Sequence, residues 1–225
     1  MQAIVETLFD TIYLITVITL GILMIRKSNG RKQYHLFGIM AVVLGLGDSF
    51  HLVPRALALC TTGLENYTTA LGIGKLITSI TMTIFYILLY YVWRNRYHIS
   101  GKNGITIVVY LLSALRIILC LFPQNGWLQA NPPLSWGIYR NIPFTLFGLL
   151  IIVLFYQEAK RQHDTAFQYM WLTIVLSFGF YIPVVLWADA IPMIGMLMIP
   201  KTCAYVWTVL IGYQAMRSEK ELMFA

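Results

Sequence analysis

Long apolar stretches, broken by short polar connections, fill almost the whole chain. Seven of them run at about 3–25, 34–59, 70–93, 104–122, 141–157, 167–188 and 192–214, each close to the roughly 17 to 25 residues that a helix needs to cross hydrocarbon. Period-two alternation, the mark of a half-buried strand, is absent. Since lipid offers no water to unpaired backbone amides, stretches of this length must be helical. The pattern predicts an all-α polytopic membrane protein with seven transmembrane helices in a single transmembrane domain spanning 1–225.

Composition agrees with that class: 59% of the 225 residues are hydrophobic and 11% charged, and mean hydropathy is +0.72, far from soluble averages. The 16 Lys and Arg are unevenly placed. Arg26, Lys27, Arg31 and Lys32 follow the first span, Arg94, Arg96 and Lys102 the third, Lys160 and Arg161 the fifth, and Arg217 and Lys220 the seventh. The positive-inside rule makes that side cytoplasmic, so the N-terminus is expected outside, the C-terminus inside, and the protein in the cell membrane as a multi-pass chain. The net charge of +7 is then a topology signal with some attraction to anionic lipid, and no nucleic-acid partner is expected. MQAIVE lacks the basic opening of a cleavable signal peptide. Trp127 and Trp136, in the polar connection at 123–140, suit an interface.

Five bases remain outside the topology signal: Arg55, Lys75, Arg116, Arg140 and Lys201. Five acids share their side of the chain, Glu6, Asp10, Asp48, Glu65 and Asp189. At about 1.5 Å per residue, Asp48, Arg116 and Lys201 all fall near or just outside the midplane. An unpaired charge there costs at least about 2.5 kcal/mol, so these groups should point inward and meet. Asp48, His51 and Arg55 are spaced i, i+3, i+7 on one face of the second helix, and Glu6 and Asp10 stack at i, i+4 on the first. Ser49 is about 100° away from Asp48 around the helix. Tyr13, Tyr181 and Tyr205 add hydroxyls at similar depth, while inner stretches such as LFGIMAVVLGL are uncharged. A polar cavity open outward and sealed inward is the expectation.

LGIGK, ending at Lys75, and LMIPK, ending at Lys201, place a lysine alike in the third and seventh spans, and FHLVP at 50–54 parallels FYIP at 180–183. These matches suggest a three-plus-one-plus-three parallel pseudo-repeat.

GDSFHLVPR, residues 47–55, resembles the G-D-x-x-x-L-x-P-R segment of the lysoplasmalogenase-like membrane enzymes through Gly47, Asp48, Leu52, Pro54 and Arg55. The resemblance covers about a dozen residues and implies a lipid-metabolising hydrolase with roles for Asp48 and Arg55. That family has eight spans and a His-bearing stretch soon after, where this chain has a longer loop and Lys75. The repeat pattern resembles that of sugar and vitamin transporters of the SWEET and PnuC kind, without their Pro-Gln signature in the first or fifth span. FYIPVVLW and a seventh-span lysine are similar to microbial rhodopsins, but Leu197 stands four residues before Lys201 and the third span has no carboxylate.

Each residue also has a plainer reading: Asp48 as a charge neutraliser for Lys201 or Arg116, His51 as an interior histidine, Arg140 as an interfacial anchor, and Glu6 and Glu65 as solvated charges. Pro143, Pro183, Pro192 and Pro200 are read as kinks or opened backbone beside the cavity, and Cys60 and Cys120, near the outer ends of their helices, as buried free thiols that could pair if adjacent. No metal spacing or cofactor motif is present, so neither is expected. Three functions fit. In a hydrolase or lyase acting on a lysolipid-like amphiphile, Asp48 and His51 are catalytic, while Arg55, Lys75, Arg116, Lys201, Asp10, Tyr181 and Tyr205 bind substrate. The others are transport of a small anionic or zwitterionic solute, and a seven-helix ligand-binding sensor; short inner loops leave a sensor little docking surface. Expected partners are membrane lipid and an amphiphilic or small charged ligand.

Overall fold

The computed structural model describes residues 2–61, 63–188 and 190–224. Seven long helices carry the chain: α1 (Gln2–Lys27), α2 (Lys32–Cys60), α3 (Thr68–Arg96), α4 (Asn103–Leu121), α5 (Leu134–Arg161), α6 (Met170–Trp187) and α7 (Met198–Phe224). No strand occurs among the described residues. All seven are long and apolar enough to cross a membrane, as in a multi-pass membrane protein. Consecutive helices pack on one another and α1 also packs on α7, which closes the bundle.

The helix ends differ from the hydropathic stretches where local chemistry overrides hydropathy. α5 begins at Leu134, directly after Pro133, so Gly137 and Arg140 lie within the helix rather than in a loop. α6 starts only at Met170, because Asp164 accepts the amides of Ala166 and Phe167 and holds a turn there. α7 is preceded by a 3-10 segment, Pro192–Leu197. Pro192 therefore opens that segment and Pro200 lies in the first turn of α7, where an amide has no helical partner to lose. The prolines within helices are Pro54, Pro143 and Pro183.

Outward faces are aliphatic, as on α1 (Ile4, Leu8, Ile12, Ile15) and α4 (Ile107, Leu111, Leu115, Ile118). Without water to drive association in lipid, close backbone approach and van der Waals packing hold such helices together. Gly21 and Gly38 join α1 to α2 so tightly that a Cβ on Gly38 would lie 2.7 Å from the Gly21 carbonyl oxygen. The centre is aromatic. Tyr86 meets Phe144 edge-on at 5.1 Å between centroids, Phe144 lies 5.0 Å from Phe178, and Phe85 meets Tyr205 at 5.6 Å.

Ion pairs tie the basic end. Arg96 makes two 2.9 Å hydrogen bonds to Asp164, pairs with Glu219, and lies 4.8 Å over the Phe167 ring. Arg31 reaches the same Glu219 at 3.4 Å, so α2, α3, the α5–α6 turn and α7 share one clamp. Burial disfavours the Asp164 carboxylate, but the hydrogen bonds and charge of Arg96 outweigh it and hold this carboxyl below its ordinary range. Nearby, Glu158 is buried between Lys102 at 3.4 Å and Arg161 at 2.7 Å. Several of the bases that marked topology in the sequence are thus also structural.

Candidate functional site

At the opposite end the helices part around a chamber of about 410 Å³, within the usual size range for small-molecule sites. The second helix supplies its most polar wall. Asp48, His51 and Arg55 rise along one face of α2, and all three line the chamber; Ser49 instead turns away and donates to the Leu46 carbonyl at 2.7 Å. Gly74 lets α3 press against this wall, since a Cβ there would sit 2.2 Å from the Phe50 carbonyl oxygen and 2.8 Å from the His51 Cα.

Asp48 is held from α1, where the Tyr13 hydroxyl donates to its Oδ2 at 2.7 Å. Its nearest cationic influence is Lys201 on α7, an electrostatic neighbour without a direct ion pair. Glu6 and Asp10 also face inward from α1. Glu6 accepts from Arg55 Nη2 at 3.0 Å, so this pair bridges α1 and α2, and Glu6 is not simply solvated. Lys75 lines the chamber from α3.

Two cations lie deeper. Arg116 on α4 is 2% exposed and Lys201 is 8% exposed. The Arg116 guanidinium sits 3.2 Å from the Phe144 centroid, while its Nε and Nη1 are buried without a hydrogen-bond partner. Lys201 Nζ lies 5.0 Å from the Tyr181 centroid and 5.4 Å from that of Tyr205. Among the described residues neither cation makes an ion pair, and they face one another electrostatically. Ring faces stabilise a desolvated cation by about 2 kcal/mol, well short of what a buried counter-anion supplies.

Arg140, read from the sequence as an interfacial anchor, also takes part in the chamber. It reaches the chamber from α5, donates to Asn125 Oδ1 at 2.9 Å, and lies 4.3 Å over the Trp127 ring. Trp127 in turn donates its Nε1–H to the Cys120 carbonyl at 2.8 Å, which fixes it as a chamber wall. Sequence reading missed the Arg140 role because the first turns of α5 looked like loop, and the Trp127 role because that residue lies in the connection before the helix. Tyr181 lines the chamber and donates to Asn141 Oδ1 at 3.0 Å. Tyr205 forms part of the floor with the aromatic cluster.

The nine side chains that the sequence singles out therefore come to one chamber: Asp48, His51, Arg55, Lys75, Arg116, Lys201, Asp10, Tyr181 and Tyr205. Glu65 is exposed in a 3-10 turn, and Asp189 lies outside the described residues. All three cysteines are free; Cys120 is buried as expected, whereas Cys60 is exposed, contrary to expectation, and Cys203 is exposed as well. Among the described residues no group of three His, Cys, Asp or Glu side chains is placed to hold a metal ion. No protein-family model matches the chain, and no curated protein or solved structure shows significant similarity to it. The chemistry of the chamber must be argued from its own residues.

Proposed function

We propose that the protein is a membrane-embedded hydrolase or lyase acting on a lysolipid-like amphiphile that enters the chamber from the extracytoplasmic side. The observation that carries this reading is that Asp48 shares the chamber with two buried cations, Arg116 and Lys201, neither of which makes a direct ion pair among the described residues. Tyr13 occupies one Asp48 oxygen and leaves the other to act on substrate or water. In hydrolysis Asp48 takes a proton from the attacking water, neutral His51 relays that proton to the departing oxygen and ends neutral, and Lys201 and Arg116 hold the anionic head. His51 Nδ1 is buried without a partner, as a proton relay awaiting substrate would be. Charge supports that orientation: eleven of the sixteen Lys and Arg belong to the end away from the chamber, the end that the positive-inside rule favours for the cytoplasm.

The test is product release from a panel of lysophospholipids by the purified protein in detergent. Turnover that is lost in Asp48→Asn, with binding retained, is expected. Substrate binding with no turnover of any panel member removes the catalytic reading.

Transport of a small anion is the second reading, and a buried row of hydroxyls favours it. Beneath the floor Thr208 donates to Thr173 Oγ1 at 2.8 Å, with Ser177 one turn away on α6. Lys75 on α3 and Lys201 on α7 both reaching the chamber supports the pseudo-repeat that such transporters carry. Gradient-driven uptake into proteoliposomes, abolished by Lys201→Ala, distinguishes it from catalysis.

A further inference from the structure

Five cations line the chamber, Arg55, Lys75, Arg116, Arg140 and Lys201, against three carboxylates, Glu6, Asp10 and Asp48. With imidazole neutral this is an excess of two positive charges. A monoanionic or zwitterionic head leaves part of that excess uncompensated in a region where charge is costly. A phosphate monoester carries about −1.5 to −2 charge near neutral pH and three strong acceptor oxygens. It matches both the charge and the donors on offer. Arg116 lines the chamber with a planar fork in which Nε and Nη1 are unsatisfied, and Lys201 adds a point charge, the two modes by which proteins hold phosphate.

The aromatic residues exclude the opposite choice. A quaternary ammonium, as in a choline head, is recognised by several open ring faces. Five aromatic residues line the chamber, and four already carry a cation of the protein itself. Arg116 covers Phe144, Arg140 covers Trp127, and Lys201 serves both Tyr181 and Tyr205. Phe9 is left, and one ring is not a cage. A cationic ligand group would meet rings occupied by like charge.

We infer that the chamber is a phosphomonoester site, selecting ligands with a terminal dianionic phosphate and rejecting choline-type heads. The inference deepens the reading of the chamber as an amphiphile site and shares its assumption that a ligand enters there. Lateral and aqueous sources offer the same chemistry, as a monoacylglycerol phosphate or as a soluble phosphate ester.

Binding to the purified full chain in detergent tests this with four probes: a monoacylglycerol phosphate, lysophosphatidylcholine of the same chain length, octyl phosphate and inorganic phosphate. The monoacylglycerol phosphate is expected to bind at least about tenfold more tightly than its choline counterpart, about 1.4 kcal/mol. Arg116→Met and Lys201→Met are each expected to erase that preference, with folding checked by thermal unfolding and Arg116→Lys retaining part of it. Octyl phosphate binding above inorganic phosphate supports the lipid source, and equal binding supports the soluble one. Equal or tighter binding of the choline lipid, or a preference that survives both Met variants, overturns the inference. Phosphomonoester binding without cleavage removes only the hydrolase reading. Cleavage of choline lysolipid with no phosphomonoester preference removes only this inference.

Discussion

Arg116 offers the sharpest test, because a structural arginine and a ligand-holding arginine respond to replacement in opposite directions. In the ligand-free protein its Nε and Nη1 are buried and unpartnered, and each such group costs about 1–3 kcal/mol. The Phe144 face beneath it returns about 2 kcal/mol, and the neighbouring Lys201 charge opposes it. Arg116→Met keeps an unbranched apolar stem and removes the guanidinium with its charge. We expect the variant to be more stable by about 2 kcal/mol, or about 4–8 °C in unfolding temperature for a chain of this size. Intrinsic fluorescence of the six tryptophans, followed on heating in detergent, reads the shift. Lys201→Met should move the other way by about 2 kcal/mol, since it leaves Asp48 with Tyr13 alone. A fall in melting temperature for Arg116→Met would show that the arginine is held by the fold, and the chamber would lose its anchor for an anion.

Other consequences concern packing and the clamp. Gly74→Ala drives a Cβ into the Phe50 carbonyl and the His51 backbone, so a loss of about 1–3 kcal/mol in thermal stability is expected, with weaker ligand binding as His51 moves. Arg96→Met leaves Asp164 and Glu219 without their shared cation. A loss of about 3 kcal/mol should appear on heating, with ligand binding at the far chamber unchanged. Asp164 also makes stability depend on acid. Its carboxyl titrates lower in the folded chain than in the unfolded one, so its contribution is complete above the ordinary value of about 3.9. It is lost as pH falls below that value and through the lowered one. Melting temperature against pH should therefore drop in that acid range for the native chain and more gently for Asp164→Asn; parallel curves would refute the assignment.

The sequence by itself determined the seven apolar helices, because the requirement that a lipid-facing segment satisfy its own backbone is local and readable one span at a time. It also determined which side chains stand at the chamber's depth, since Asp48, His51 and Arg55 share a face by helical spacing alone. Partnership was decided elsewhere. That Glu6 takes Arg55, that Tyr13 rather than a lysine holds Asp48, and that Arg140 joins Asn125 over Trp127 depend on how separate helices lean together. Spacing along one chain carries no distance between two helices. Those distances are set by close contacts such as Gly21 on Gly38 and Gly74 on Phe50, and only the packed bundle shows that, among the described residues, Arg116 and Lys201 make no direct ion pair.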